Sequence, residues 1–180
     1  MSTTPKSGPS RAIIVLAALL IVAACGVIGL VSAALAQTGA VNSVAAPQAT
    51  ATATPSPRQL AEAYVELVSR DANTLSTAMG TVSDQCAVDV SACDTAVVAA
   101  AKVDQSFLHD IQDAKVPACL NAADSTLQDA LSAMYAGLID SHTGIQAQDG
   151  ALVTQGAHEI TAATVTTSHA TKLIAQVKCS

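Results

Sequence analysis

Aromatic and charged side chains are scarce in this 180-residue chain, which has two Tyr, one Phe, no Trp and only 12% charged residues. Low charge together with a 51% hydrophobic content excludes disorder along the whole chain. Nine Gly without a repeating period exclude a collagen-like chain, and five Cys in 180 residues exclude a dense disulfide scaffold. The composition leaves a globular domain with additional segments as the expected organisation.

Alanine supplies much of the hydrophobic content, since 38 of the 180 residues are Ala. Alanine has the highest helix propensity of all residues, and clusters of β-branched residues are few here. The composition therefore predicts an all-α fold.

The N-terminal 36 residues have the pattern of an export signal or a membrane anchor. Lys6 and Arg11 precede residues 12–36, an apolar run without any charge. A helix of this length spans roughly 37 Å, enough to cross a bilayer, and the positive flank predicts a cytoplasmic N-terminus. Three alternatives remain open: a retained anchor, cleavage after Ala36 in Ala34-Leu35-Ala36, and lipidation of Cys25 in a lipobox-like sequence. Each of them places the rest of the chain outside the cytoplasm.

Residues 37–56 read as a linker because they are rich in Thr, Ala and Pro and contain no charge. Such a sequence buries too little apolar surface to offset the entropy of ordering it. Thr and Ser next to Pro also suit O-glycosylation.

Four segments with helical periodicity follow in residues 57–180, which predicts an up-down-up-down antiparallel four-helix bundle. Ser56 is the expected N-cap of the first helix, at about 57–82, with Pro57 as its first residue. The second helix is expected to begin at a capping box formed by Ser91 and Asp94, and to stop before Pro117. The third begins near Ala118, and the fourth follows a turn in which Asp149 is the cap. The predicted core stripes are Leu60, Tyr64, Leu67, Val68, Leu75 and Met79; Val97, Ala101, Asp104, Leu108 and Ile111; Leu127, Leu131, Met134, Leu138 and Ile145; and Leu152, Gly156, Ile160, Ala163, Thr167, Ala170, Ile174 and Val177.

Four cysteines lie in the predicted bundle, an even number that indicates disulfides in an exported domain. Cys86 and Cys93 flank the turn between the first two helices, whereas Cys119 and Cys179 lie at the opposite end of the bundle. The two ends are roughly 40 Å apart, while the Cα atoms of a disulfide lie within about 7 Å of each other. The predicted pairs are therefore Cys86–Cys93 and Cys119–Cys179.

The region after the linker is acidic, with six basic residues against all 14 acidic residues of the chain. Nucleic-acid binding requires a basic surface, so this class of partner is excluded. The expected partners are the membrane, through the N-terminal segment if that segment is retained, and another protein of the envelope.

Few residues suggest chemistry. A carboxylate-bridged di-metal site needs Glu-x-x-His, and none of the three Glu has a His three residues later. By helix rise, Tyr64, His109 and His169 share one layer that could bind haem or a metal ion, and His142 and His158 share another. Both pairs of histidines lie one step off the apolar stripes, so the alternative is that they are solvated side chains. We expect no catalytic residues, no metal site and no resident cofactor.

The arrangement of an apolar N-terminal segment, a Thr/Ala/Pro linker and an Ala-rich helical domain resembles small exported or membrane-anchored helical proteins of unknown function from high-GC Gram-positive bacteria. Plant invertase and pectin-methylesterase inhibitors are also exported four-helix bundles with four cysteines, but their close cysteine pair lies in an N-terminal hairpin, and their function is not carried over. The expected function is that of a non-enzymatic, extracytoplasmic protein of the cell envelope, structural or partner-binding. The alternative is a carrier or sensor of haem, a metal ion or a small apolar ligand.

Overall fold

The structure is a computed structural model that describes residues 54–179. The predicted export or anchor segment, its three possible fates and nearly all of the linker lie outside the described residues. No helix among residues 54–179 is long and apolar enough to cross a membrane.

Four long helices packed against one another make up the described region, which contains no strand. They are α1 (Pro57–Cys86), α2 (Val90–Asp113), α3 (Asn121–Ala147) and α4 (Gly150–Gln176), with a short 3-10 helix (Ala118–Leu120) before α3. The all-α prediction is confirmed.

Local sequence explains where the helices begin. Ser56 caps α1 in a capping box, because its hydroxyl accepts from the backbone N–H of Gln59 and the Gln59 side chain accepts from the backbone N–H of Ser56. Asp149 caps α4 by accepting from the backbone N–H groups of Ala151 and Leu152. Both caps confirm the sequence predictions.

The start of α2 differs from the prediction. Asp89, not Ser91, is the N-cap, and its carboxylate accepts from the backbone N–H of Ala92 at 2.8 Å. Helix α1 also continues to Cys86 rather than ending near residue 82. The connection, residues 87–89, is therefore only three residues long, and its last residue is the cap.

The core consists of the predicted stripes with a few changes of position. Phe107 is buried on α2, whereas the predicted Leu108 is half-buried. Val177 is exposed because α4 ends at Gln176. The other half-buried members of the stripes lie near helix ends or at the edge of a stripe: Leu60, Leu67, Ile145 and Leu152.

Small residues allow α3 and α4 to pack closely. A Cβ atom added to Gly137 would lie 2.8 Å from the Gly156 carbonyl oxygen, and one added to Gly144 would lie 2.7 Å from the Val153 backbone nitrogen. A Cβ atom on Gly156 would overlap the Gly137 carbonyl oxygen and the Ser141 hydroxyl. These three glycines are thus required by the approach of the two backbones.

Two disulfides join the cysteines in the predicted pairs. Their Cα atoms are 4.1 Å apart in Cys86–Cys93 and 5.8 Å apart in Cys119–Cys179. The first links the end of α1 to the start of α2, and the second links the segment before α3 to the residues after α4. Below, the two ends of the domain are named after these disulfides.

Candidate functional site

Tyr64 is the buried member of the predicted ligand layer, and its hydroxyl already has a partner. It lies on α1, where it is 2% exposed, and donates a hydrogen bond of 2.7 Å to Oδ1 of Asp124 on α3. The second carboxylate oxygen of Asp124 accepts from Nε2 of Gln128 at 2.9 Å. Burial, followed by the hydrogen bond and the charge of Asp124, raises the pKa of the Tyr64 phenol. Tyr64 is therefore a neutral donor that links α1 to α3.

The two histidines of that layer are on the surface. His109 has an exposed side chain whose Nε2 lies 3.5 Å from a carboxylate oxygen of Asp113, one turn further along α2. His169 is exposed on α4. The structure thus places one member of the predicted layer in the core and two on the outside, and ligand binding by these residues stays a prediction.

His142, of the second predicted layer, contacts a carboxylate that the sequence did not indicate. Its Nδ1 lies 2.6 Å from Oδ1 of Asp94, and Nε2 of Gln146 donates to Oδ2 of the same carboxylate. Asp94 lies on α2, 48 residues before His142 along the chain. His158 is exposed. Asp94, expected in a helix cap, instead joins α2 to α3 near the Cys86–Cys93 end.

The most unusual polar group is Asp104, in the core stripe of α2. It is 0% exposed, and neither carboxylate oxygen has a hydrogen-bond partner among the described residues. Burial raises the pKa of Asp104 from 3.8 to about 8, because removal from water disfavours the charged carboxylate. The periodicity of α2 had already placed this aspartate on the apolar face, which was the one signal that the sequence offered.

Two further features of the described surface are an ion-pair cluster and a pair of exposed valines. Arg70 on α1 is exposed and bridges two acids, donating to Asp71 at 2.7 and 2.9 Å and to Asp110 on α2 at 3.0 Å. Val88 and Val90 are exposed at the Cys86–Cys93 turn, and isolated apolar side chains of this kind are common on globular surfaces. Within residues 54–179, no group of three or more His, Cys, Asp or Glu side chains is arranged to hold a metal ion.

Comparison with known proteins gives no relative: no protein family, no curated protein and no solved structure matches this chain. Function must therefore be argued from the chain itself.

Proposed function

We propose that this chain is a non-enzymatic, extracytoplasmic protein of the cell envelope, in which the helical domain is a structural or partner-binding module. The observation that carries the proposal is the pair of disulfides. Disulfides persist in oxidising compartments and are rare in a reducing cytosol. The basic N-terminal flank, the apolar run of residues 12–36 and the uncharged linker agree with that location.

The four helices are proposed to follow up-down-up-down order. The connections between α1 and α2 and between α3 and α4 have three and two residues, which favours antiparallel neighbours. Contacts between helices agree: Arg70 bonds Asp110, Asp94 bonds His142, and Gln155 bonds Asp140. In α3 and α4, the partner's number falls as the residue number rises, since Gly137 lies near Gly156 and Gly144 near Val153. In α1 and α2, Arg70 bonds Asp110 and Cys86 bonds Cys93, which is the same trend.

A bundle of this kind suits a spacer or a binding module. Its ends are fixed covalently, and residues 57–180 follow directly on the predicted linker. The alanine-rich core buries little apolar area per residue, so covalent links contribute a large part of the stability that an exposed envelope protein needs.

The test is the native and denatured intact mass of the protein isolated from its own cell envelope without reductant. A polypeptide four hydrogens lighter than its reduced form supports the proposal, and its N-terminal residue distinguishes retention, cleavage after Ala36 and lipidation of Cys25. Recovery with free cysteines from the cytosolic fraction would contradict it. Extra mass that leaves on denaturation, and that is absent from the His109→Ala or His169→Ala variant, would favour a ligand carrier instead.

A further inference from the structure

The two disulfides differ in how closely solvent approaches them. Cys86 and Cys93 are buried, with exposures of 6% and 7%. Cys119 is exposed and Cys179 is half-buried. Thiol–disulfide exchange begins when a thiolate reaches one of the two sulfur atoms, so its rate depends on access. Burial therefore opposes exchange at Cys86–Cys93, and exposure favours it at Cys119–Cys179.

An open groove beside Cys119–Cys179 gives a reagent room to approach. Its volume is about 440 Å³, and both cysteines line it. Three parts of the chain form the rest of its wall: Pro55, Pro57 and Leu60 around the start of α1, Pro117 and Ala118 before α3, and Lys178 after α4. The groove thus lies where the domain begins and where its last helix ends, and the disulfide joins two of its three parts.

The charge of this groove favours an incoming thiolate. Lys178 is the one charged residue among the described residues that line it, although the domain as a whole is acidic. It directly precedes Cys179 in the chain. A nearby cation favours the thiolate, which is the form of a thiol that attacks and the form that leaves.

The charge around the other disulfide is of opposite sign. The charged residues nearest to Cys86 and Cys93 along the chain are Asp84, Asp89 and Asp94. Asp84 and Asp89 are exposed, and Asp89 lines a groove between α1 and α2 at that end. Carboxylates repel a thiolate, so charge and burial both protect Cys86–Cys93.

Few hydrogen bonds hold the residues that follow α4. Helix α4 ends at Gln176, and the backbone N–H of Val177 donates to the Leu173 carbonyl at 3.1 Å. Within the described chain, Lys178 and Cys179 make no hydrogen bond with another residue. Opening the disulfide therefore detaches residues 177–179 from the α2–α3 connection without breaking a hydrogen bond between helices. It also removes the stabilisation that comes from closing a loop of 60 residues.

We propose that Cys119–Cys179 is a site of thiol–disulfide exchange, at which an external dithiol opens this end of the domain while Cys86–Cys93 stays closed. A thiolate of the dithiol attacks Sγ of Cys119, the more exposed cysteine, and forms a new S–S bond as the bond to Cys179 breaks. Cys179 leaves as a thiolate beside Lys178. The second thiolate of the dithiol then attacks the dithiol sulfur of the mixed disulfide, and Cys119 leaves. The dithiol is oxidised to a disulfide, the two cysteines are reduced by two electrons, and the two protons of the dithiol pass through water to the cysteines.

Partial reduction of the oxidised full-length chain tests the difference between the two bonds. The chain is treated with excess dithiothreitol at pH 7 without denaturant, free thiols are alkylated at intervals, and peptide mapping reports each cysteine separately. The initial rate of alkylation at Cys119 and Cys179 should be higher than at Cys86 and Cys93 by about tenfold or more, because access governs exchange. Equal initial rates, or faster opening of Cys86–Cys93, overturn the proposal.

A destabilised variant separates attack on the folded chain from attack on unfolded molecules. Gly156→Ala changes the contact between α3 and α4 and lies outside the groove. The initial rate at Cys119–Cys179 should be the same in this variant as in the wild type. A rate that rises in proportion to the unfolded population would show that exchange requires unfolding, and would overturn the proposal.

Two variants of equal charge test the groove as the route of attack. Lys178→Glu should slow the initial rate at Cys119–Cys179 severalfold, and the difference should shrink at high salt, which screens exposed charges. Lys172→Glu is the matched control, because Lys172 is exposed on α4 and does not line the groove. Equal effects of the two variants would show that the net charge of the domain sets the rate, and would overturn the assignment of the groove. The purified chain is used throughout, so these outcomes do not depend on the proposed location.

Discussion

At the scale of single residues, the glycines show how context decides the effect of one methyl group. Gly156 lies against the backbone of α3, whereas the position that a Cβ of Gly80 on α1 would take has no atom within 4 Å apart from the neighbouring backbone of its own helix. Both glycines lie inside helices, where alanine is preferred in the absence of tertiary contacts. The sequence treats them alike, and only the packing distinguishes them.

We therefore expect opposite effects from the same substitution at these two sites. Gly156→Ala should destabilise the domain by about 1–3 kcal/mol, because α3 and α4 must move apart. Gly80→Ala should stabilise it by about 0.5–1 kcal/mol through reduced backbone entropy of the unfolded chain. Urea unfolding of the oxidised protein measures both, and a destabilised Gly80→Ala variant would contradict the open surroundings of Gly80.

The hydrogen bond of Tyr64 provides a second test at this scale. Tyr64→Phe should cost about 1–2 kcal/mol, since the hydrogen bond to the Asp124 carboxylate is lost while the ring stays buried. Tyr135→Phe is the matched control, because Tyr135 is half-buried and its hydroxyl has no hydrogen bond with another described group. Thermal unfolding should separate the two variants, and equal effects would show that the Tyr64–Asp124 contact contributes nothing.

At the scale of elements, the sequence indicated the caps of α1 and α4 but not that of α2. Ser56 and Asp149 are the N-caps that the sequence predicted, so the local capping preference agrees with the final structure. Near α2, the sequence indicated only the capping box of Ser91 and Asp94, but Asp94 contacts His142 on α3 and Asp89 caps the helix instead, so a local cap and a tertiary contact compete for Asp94. Competition of this kind is decided by tertiary contacts that no local rule contains.

The end of α3 offers a test of backbone strain. Gln148, its C-cap, has a φ of 56° and a ψ of 34°, the left-handed region that glycine adopts without a Cβ penalty. Gln148→Gly should stabilise the domain by about 0.5 kcal/mol, after the entropic loss of glycine in the unfolded chain is subtracted. Ala87→Gly, at the C-cap of α1 with a φ of −77°, should bring no gain. Chemical denaturation of both variants checks the sign.

At the scale of the whole molecule, the two disulfides should contribute unequally. Replacing Cys119 and Cys179 by serine should cost about 4 kcal/mol, and replacing Cys86 and Cys93 about 2.5 kcal/mol, because the longer loop of 60 residues frees more unfolded conformations than the loop of seven. Guanidinium unfolding of the two double variants gives the comparison. A larger loss from the short loop would show that native packing, rather than chain entropy, dominates.

The pH dependence of stability also belongs to the whole molecule, because it compares the folded and unfolded chains. Asp104 titrates near 3.9 when unfolded and near 8 when folded, so the folded chain holds the extra proton between these values. Its contribution to stability is complete below about pH 4 and is lost as the pH rises to about 8, by up to about 1.4 kcal/mol per pH unit. The Asp104→Asn variant should lack this decline between pH 5 and 8, and an unchanged slope would show that another group causes it.

The sequence by itself determined the helical class, the four core stripes, two of the helix caps and the pairing of the cysteines. These follow from properties of the sequence that are repeated along the chain, namely alanine content and a 3.6-residue period, or that set where helices begin and how long they are, namely capping residues and segment length. The assignments of residues 1–36 as an export or anchor segment and of residues 37–56 as a linker are predictions from patterns of the same kind. The intact-mass measurement proposed above tests the first of them.

Only the tertiary structure decided which polar side chains meet. Tyr64 and Asp124 are 60 residues apart, and Asp94 and His142 are 48 apart, so no local pattern could join them. His109 and His169 are exposed, whereas Tyr64 at the same predicted level is buried. Helix rise gives the level of a residue along the axis but not its direction around the axis. Direction depends on how neighbouring helices pack. Periodicity already placed Asp104 on the core face of α2, but only the structure shows that neither of its carboxylate oxygens has a hydrogen-bond partner among the described residues.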